Sequence, residues 1–164
     1  MKKYLLITLC FFFFSAGYAQ VTDAYYLVDY SNAVICGMET EAFAVRETDW
    51  DKDNPEISGN ILQDMLKKTG DIIPFKKDSK NKVIVIVRSI TDNGRFNCDV
   101  ALYDANNNVL CKAENIQCSK GGTWGTKLNL MKEGAHKEGS KLGSALKKAY
   151  KSYLSTINPK PIQL

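Results

Sequence analysis

"KVIVIVRSITDNGRFNCDVALYDANNNVLCKAENIQC", residues 82–118, is the stretch that decides the fold of this 164-residue chain. It contains three runs rich in β-branched and apolar residues, and the turn-forming segments TDNG and ANNN separate them. Such a pattern predicts a three-stranded antiparallel meander. The first run is apolar at alternate and at intervening positions, which is typical of a strand buried on both faces, so we expect it to be central.

The turn residues predict the register of this meander. If Asn93-Gly94 is a two-residue turn, Arg88 faces Asp99, and opposite charges on neighbouring strands stabilise a sheet. The same register predicts an apolar face made of the pairs Val85 with Leu102, Val87 with Val100, and Ser89 with Cys98. A turn at Asn106-Asn107 continues that face, with Leu102 opposite Cys111 and Val100 opposite Ala113.

Two amphipathic segments flank the meander and are predicted to be helices, at about 55–69 and 138–156. The first has Pro55 in its opening turn and Gly70 just past its end. The second repeats apolar residues at helical spacing from Leu142 to Leu154. Earlier in the chain, AYYLVDYS, AVICG and EAFAV are predicted to be strands. The order predicts an α+β fold: an antiparallel sheet, with the meander at about 82–118, covered by two helices in a two-layer sandwich.

The first nineteen residues have the pattern of a signal peptide. Lys2 and Lys3 precede an apolar run, and small residues lead to a cleavage site after Ala19. Leu9 precedes Cys10, where a lipidation motif needs a small residue, so we expect no lipid anchor. We therefore expect export to the periplasm or the exterior, one domain over 20–164, and no membrane span after cleavage. An uncleaved anchor is the alternative.

Charge is distributed unevenly along the chain. Residues 20–60 carry nine acidic and two basic residues, whereas residues 120–164 carry nine lysines and two glutamates. One interpretation is internal complementarity, in which the two ends of the chain lie close together. The other is a basic surface for an anionic envelope polymer or a lipid headgroup. Complementarity is favoured, because the lysines fall where a solvated helix face would place them.

A glycine-rich stretch, Gly121–Gly143, resembles a phosphate-binding loop. Both near-matches place the hydroxyl residue before the lysine instead of after it, which displaces the two groups that hold phosphate and magnesium. We expect neither nucleotide nor nucleic acid to bind. Gly139 and Gly143 are instead predicted to let a helix approach the sheet closely. Trp124 is predicted to be a lid over the core, ahead of a role as a ligand platform.

No pattern in the sequence points to a cofactor, a metal or a catalytic constellation. His136 is the only histidine, so a histidine-rich zinc site is not expected. No G-x-S-x-G motif is present, although a serine–histidine–aspartate triad remains compatible with the composition. The residues predicted to contribute to a binding surface are Trp124, Lys127, His136 and Lys141.

Four cysteines follow the predicted signal peptide. Cys98 and Cys111 point to the predicted core face, where thiols are usually inert. They lie too far apart along the ladder for a bridge. If a bridge forms, Cys36 is the expected partner, with Cys111 or Cys118. A fully reduced set is the equally favoured alternative.

The order of helix, VIVIVRSITDNGRFNCDVALYD, VLCKAENIQC and amphipathic helix resembles small exported α/β domains of bacterial envelopes. The periplasmic domains of curli-secretion channels and of penicillin-binding-protein activators are of this kind. The resemblance covers about residues 55–155 and is architectural. It implies a non-catalytic accessory or binding role, with an envelope protein or an anionic polymer as partner. The alternative is a small secreted hydrolase whose site the sequence does not reveal.

Overall fold

The computed structural model describes residues 20–118 and 120–158. The predicted signal peptide and its cleavage site lie outside the described residues. The helices are α1 (Thr40–Arg46), α2 (Trp50–Thr69) and α3 (Lys127–Ile157). The strands are β1 (Tyr25–Asp29), β2 (Val34–Ile35), β3 (Met38–Glu39), β4 (Lys82–Ile90), β5 (Phe96–Tyr103) and β6 (Val109–Gln117). A six-stranded open sheet and three helices confirm the α+β class.

The sheet is mixed, and the prediction of a purely antiparallel sheet was wrong. β4, β5 and β6 form the predicted antiparallel meander, but β1 and β2 both pair in parallel with β4, on its other side. β1 pairs with the first part of β4, and β2 pairs with its last two residues. The strand order is β3-β2-β4-β5-β6, so β4 is central, as its doubly apolar sequence predicts.

The predicted register between β4 and β5 was wrong by two residues. Val83 faces Leu102 and Val85 faces Val100, because Asp92–Gly94 form a three-residue loop and a bulge at Arg88 takes up one more residue. Gly94 has a φ of +72°, and Thr91 and Arg95 close the loop by a backbone hydrogen bond. A shift of two residues leaves Val85 and Val87 on their predicted face, but beyond the bulge Ser89 faces Asn97 instead of the predicted Cys98 and lies on the other face.

The remaining register predictions had mixed outcomes. Leu102 faces Cys111 and Val100 faces Ala113, as predicted. Cys98 faces Ile116, because a bulge lies between this pair and the pair at Val100. The Arg88–Asp99 ion pair forms, although Ile86, and not Arg88 as predicted, is the residue opposite Asp99 in the ladder.

One face of the sheet packs against α2 and α3, and the core lies between these layers. The helix face of the sheet is formed by Val83, Val85, Val87, Cys98, Val100, Leu102 and Cys111, all buried. Ile57, Ile61 and Met65 contribute the buried stripe of α2 predicted from their spacing. α2 starts at Trp50, five residues earlier than predicted, and ends before Gly70 as predicted.

α1 occupies the segment EAFAV, which was predicted to be a strand. Its single buried residue, Phe43, packs edge to face against Trp50 with ring centroids 5.2 Å apart. The alternation of apolar residues here is too short to distinguish the two periods, and this tertiary contact decides in favour of the helix.

α3 begins at Lys127, eleven residues before the predicted start. Thr126 caps it by accepting a hydrogen bond from the Asn129 backbone N–H. The glycines Gly134, Gly139 and Gly143 therefore lie inside a helix. Gly139 and Gly143 face α2 and not the sheet: a Cβ on Gly139 would lie 2.2 Å from the Ile61 carbonyl oxygen, and one on Gly143 would lie 2.8 Å from the Met65 carbonyl oxygen.

Ion pairs between α3 and earlier segments show that the acidic and basic ends of the chain are complementary. Lys127 pairs with Glu47, and Lys132 pairs with Asp53 and Glu56, all within the acidic segment 20–60. The favoured interpretation of the charge gradient is thus confirmed for these residues. Lys137 and Lys141, also on α3, form no ion pair with the acidic residues of 20–60.

Candidate binding surface

The loop that leads into α3 is anchored by hydrogen bonds at the three residues that precede Trp124. The Gly122 backbone N–H donates to the Asn93 carbonyl oxygen at 2.8 Å, and Lys137 Nζ donates to the Gly121 carbonyl oxygen at 2.6 Å. Thr123 donates from its backbone N–H to Glu133 Oε2 at 2.8 Å. Gly121 lies so close to the β4–β5 loop that a Cβ would fall 1.9 Å from the Asn93 carbonyl oxygen.

Trp124 itself is 89% exposed, and the prediction that it forms a lid over the core was wrong. The loop holds the backbone against the β4–β5 hairpin and α3, while the indole projects away from both. Burying an indole of about 200 Å² would contribute roughly 5 kcal/mol at 25 cal/mol per Å². Because the anchored loop forgoes this stabilisation, the side chain is available to a partner.

Lys127 lies at the start of α3 and is half-buried between two acidic side chains. Its Nζ is 3.3 Å from Glu47 Oε1 and 3.6 Å from Asp92 Oδ1. The hydrogen bond to Glu47 raises the pKa of Lys127, although partial burial opposes this. Lys127 therefore joins the end of α1 to the start of α3, and these two acidic partners occupy the ammonium group that was predicted to contribute to a binding surface.

His136 lies on the flank of α3 that faces α2. Its Nδ1 is 2.8 Å from Asp64 Oδ2, and its side chain is 44% exposed. Burial alone would raise the pKa of Asp64, but hydrogen bonds from Lys67 and His136 lower it below its ordinary value. An aspartate–histidine pair is two thirds of a hydrolytic triad. Within the described residues, however, no serine, threonine or cysteine side chain is hydrogen bonded to the imidazole.

Lys141 lies on a different side of α3, beside β6. Its Nζ donates to the Gln117 carbonyl oxygen at 2.7 Å, across the mouth of an open groove of about 420 Å³ between β6 and α3. Lys137 and Ser140 line the same groove. The Lys141 ammonium group and the Ser140 hydroxyl are therefore accessible to a ligand in this groove.

The structure does not bring the four predicted surface residues together at one place. Trp124 lies in the loop before α3, whereas Lys141 lies inside the helix, beside β6. Lys127 is engaged by Glu47 and Asp92, and His136 faces α2. Trp124 and Lys141 remain as two separate accessible features.

The second near-match to a phosphate loop, Gly134–Lys141, lies wholly inside α3. A helical backbone directs its N–H groups along the helix axis into its own hydrogen bonds, so it forms no cradle for phosphate. The three glycines face neighbouring backbone instead of a ligand. Gly134, for example, contacts the β4–β5 loop, where a Cβ would lie 1.8 Å from the Gly94 carbonyl oxygen.

Sequence reasoning missed a buried acid, Glu138, in the middle of α3. The residue has no exposed surface, its Oε2 accepts from Cys118 Sγ at 2.8 Å, and its Oε1 has no hydrogen-bond partner. Burial raises the pKa of Glu138 to about 7, with the Cys118 hydrogen bond opposing the rise. The only signal in the sequence is position: Glu138 lies four residues before Leu142, on its apolar stripe.

The described cysteines are all free thiols. Cys36 follows β2 and Cys111 lies on β6, with β4 and β5 between them, so the strands that carry them are about 14 Å apart. The pairing of Cys36 with Cys111 or Cys118 was therefore wrong, and the reduced alternative describes the structure. Burial raises the pKa of Cys98 and of Cys111, which keeps both thiols protonated and weakly nucleophilic.

Comparison with known proteins finds no family model, no curated protein and no solved structure that matches this chain. Among residues 20–118 and 120–158, no helix is long and apolar enough to cross a membrane. The same residues contain no group of three or more histidine, cysteine or acidic side chains arranged to hold a metal ion.

Proposed function

We propose that this protein is an exported, non-catalytic binding or accessory protein of the bacterial cell envelope, and that Trp124 engages a protein partner. The observation that carries the proposal is the 89% exposure of Trp124 on a loop anchored to the β4–β5 hairpin and to α3. Tryptophan is enriched among the residues that dominate protein–protein binding energy. An anchored loop also loses little conformational freedom on binding, which favours affinity.

The test is capture of a partner from envelope extract with the purified protein immobilised. We expect a protein to be retained by the wild type and lost with Trp124→Ala. Phe75→Ala is the matched control, because Phe75 is another exposed aromatic residue, on the connection between α2 and β4. Retention of the same partner by Trp124→Ala, or loss with both variants, would contradict a role for the indole.

Direct binding can then be followed by fluorescence. Trp50 is buried, so quenching by iodide in the free protein should report mainly on Trp124. We expect the captured partner to protect Trp124 from iodide and to shift its emission to shorter wavelength. Unchanged quenching in the complex would place the interface elsewhere.

A small secreted hydrolase is the alternative, and the hydrogen bond between His136 and Asp64 favours it. Hydrolysis of activated esters by the wild type, abolished by His136→Ala and retained by Lys52→Ala, would support that alternative. We expect any residual hydrolysis to be the same in all three proteins, because no described serine, threonine or cysteine side chain is hydrogen bonded to the imidazole to serve as the nucleophile.

A further inference from the structure

The outer face of α3 carries lysines and serines at helical spacing, which we call the lysine ridge. Its members are Lys137, Ser140, Lys141, Ser144, Lys148, Lys151, Ser152 and Ser155. Steps of three and four residues place them on one side of the helix. From first to last they span about 27 Å at a rise of 1.5 Å per residue.

Much of the positive charge of this ridge is not neutralised within the described residues. Lys137 is paired with Glu133, and Lys141 donates to a carbonyl oxygen, which does not cancel its charge. Lys148 and Lys151 form no ion pair with a described acidic residue. Asp71 is engaged by Lys147, with Lys151 adding a weaker attraction that also lowers the pKa of Asp71.

Two shallow grooves run end to end along the ridge. The first, of about 420 Å³, lies between β6 and α3, with Ile116 and Lys141 among its lining residues. The second, of about 380 Å³, is lined only by lysines and serines of α3. The grooves share Ser144, so a single extended ligand can follow both.

We infer that the lysine ridge is a binding site for a linear polysaccharide bearing carboxylate or sulfate groups. The ammonium groups match the repeated anions. The Ser140 and Ser152 hydroxyls can donate to and accept from sugar hydroxyls. Ser144 and Ser155 donate to backbone carbonyl oxygens of α3 and can still accept. No aromatic side chain lines either groove, whereas single-stranded nucleic acid is bound by stacking on aromatic residues. α3 contributes to the lining none of the bulky apolar side chains with which a surface helix enters a lipid headgroup layer. The site is separate from Trp124 and goes beyond the proposed function.

The test is titration of fluorescently labelled dextran sulfate, whose anionic groups are sulfates, and polygalacturonate, whose anionic groups are carboxylates, with the purified protein at two salt concentrations. We expect the triple variant Lys141→Ala, Lys148→Ala, Lys151→Ala to bind at least one of these polymers tenfold or more weakly than the wild type. We also expect its binding to depend less on salt, because fewer counterions are released. The polymer that loses more affinity identifies the anionic group.

The matched control is the triple variant Lys52→Ala, Lys77→Ala, Lys80→Ala, which removes the same charge from exposed positions outside the ridge. It should bind like the wild type, and equal losses in both variants would overturn the inference by showing a net-charge effect. Tighter ridge-dependent binding to oligothymidylate, or to vesicles rich in phosphatidylglycerol, would overturn it in favour of those ligands. Unchanged thermal unfolding of both variants excludes loss of folding as the cause.

Discussion

Glu138 makes the stability of this protein depend on pH in a direction unusual for a carboxylate. The residue is fully buried on the inner face of α3, and only one of its two carboxyl oxygens has a hydrogen-bond partner. Replacing it by glutamine retains the shape and an acceptor for Cys118 while removing the charge. Glu138→Gln therefore tests whether burial of the ionised carboxylate costs folding free energy.

The magnitude follows from the two pKa values of the carboxyl group. In the unfolded chain it has its ordinary pKa of 4.5, and in the folded protein burial raises the pKa to about 7. Below pH 4.5 the carboxyl group is protonated in both the folded and the unfolded protein, so its burial costs no free energy of ionisation. As the pH rises towards 7 the unfolded state loses its proton first, so the wild type loses stability, to a total of about 3 kcal/mol at 1.4 kcal/mol per pH unit.

Urea unfolding followed by the fluorescence of buried Trp50, at pH values from 4 to 8, measures this difference. We expect Glu138→Gln to match the wild type near pH 4 and to be more stable by about 3 kcal/mol at pH 8. The control is Glu133→Gln. The pKa of Glu133 is lowered by hydrogen bonds from Thr123 and Lys137, so this control should lose stability relative to the wild type as the pH rises. Parallel pH profiles for the wild type and Glu138→Gln would refute the reasoning.

Three further predictions concern the glycines of the helices, the central strand and the ion pairs of Lys127. Gly139→Ala should destabilise the protein by more than 1 kcal/mol, because the new Cβ would lie 2.2 Å from the Ile61 carbonyl oxygen. Gly59→Ala should stabilise it by up to about 1 kcal/mol, because a Cβ there has no neighbouring atom within 4 Å. Thermal unfolding measures both changes. Val87→Asp should cost several kcal/mol in urea unfolding, since it buries an unpaired charge on the central strand, and wild-type stability would show that the strand is exposed. Lys127→Ala should lower the midpoint of urea unfolding slightly, and by less as salt is added, because it removes two partly exposed ion pairs; an effect independent of salt would contradict this.

The prediction of the sheet succeeded where side-chain periodicity alone decides the outcome. Alternation from Val83 to Val87 identifies the face that meets the helices, whatever the register, because a shift of two residues preserves the face. The register itself depends on loop closure. Gly94 in the left-handed region and a bulge at Arg88 both add a residue that the pattern of apolar residues does not reveal.

In the segment before α2, periodicity again predicts some elements while tertiary contacts decide others. The sequence of β1 predicts a strand, but its parallel pairing with β4 depends on the crossover through α2, which no local pattern encodes. The segment around Phe43 is too short for its period to be read, and contact with Trp50 makes it a helix.

The glycines and the candidate surface depended most on tertiary structure. Intrinsic propensity treats Gly134 and Gly139 as helix breakers, yet α3 continues through both because close contacts with the hairpin and with α2 require residues without a Cβ. The sequence by itself determined the α+β class, the central strand and an excess of lysine in the last third of the chain. Only the folded arrangement decided which of those lysines are paired, that Trp124 is exposed and that Glu138 is buried. Pairing and burial are properties of neighbours distant in sequence, so no local pattern can specify them.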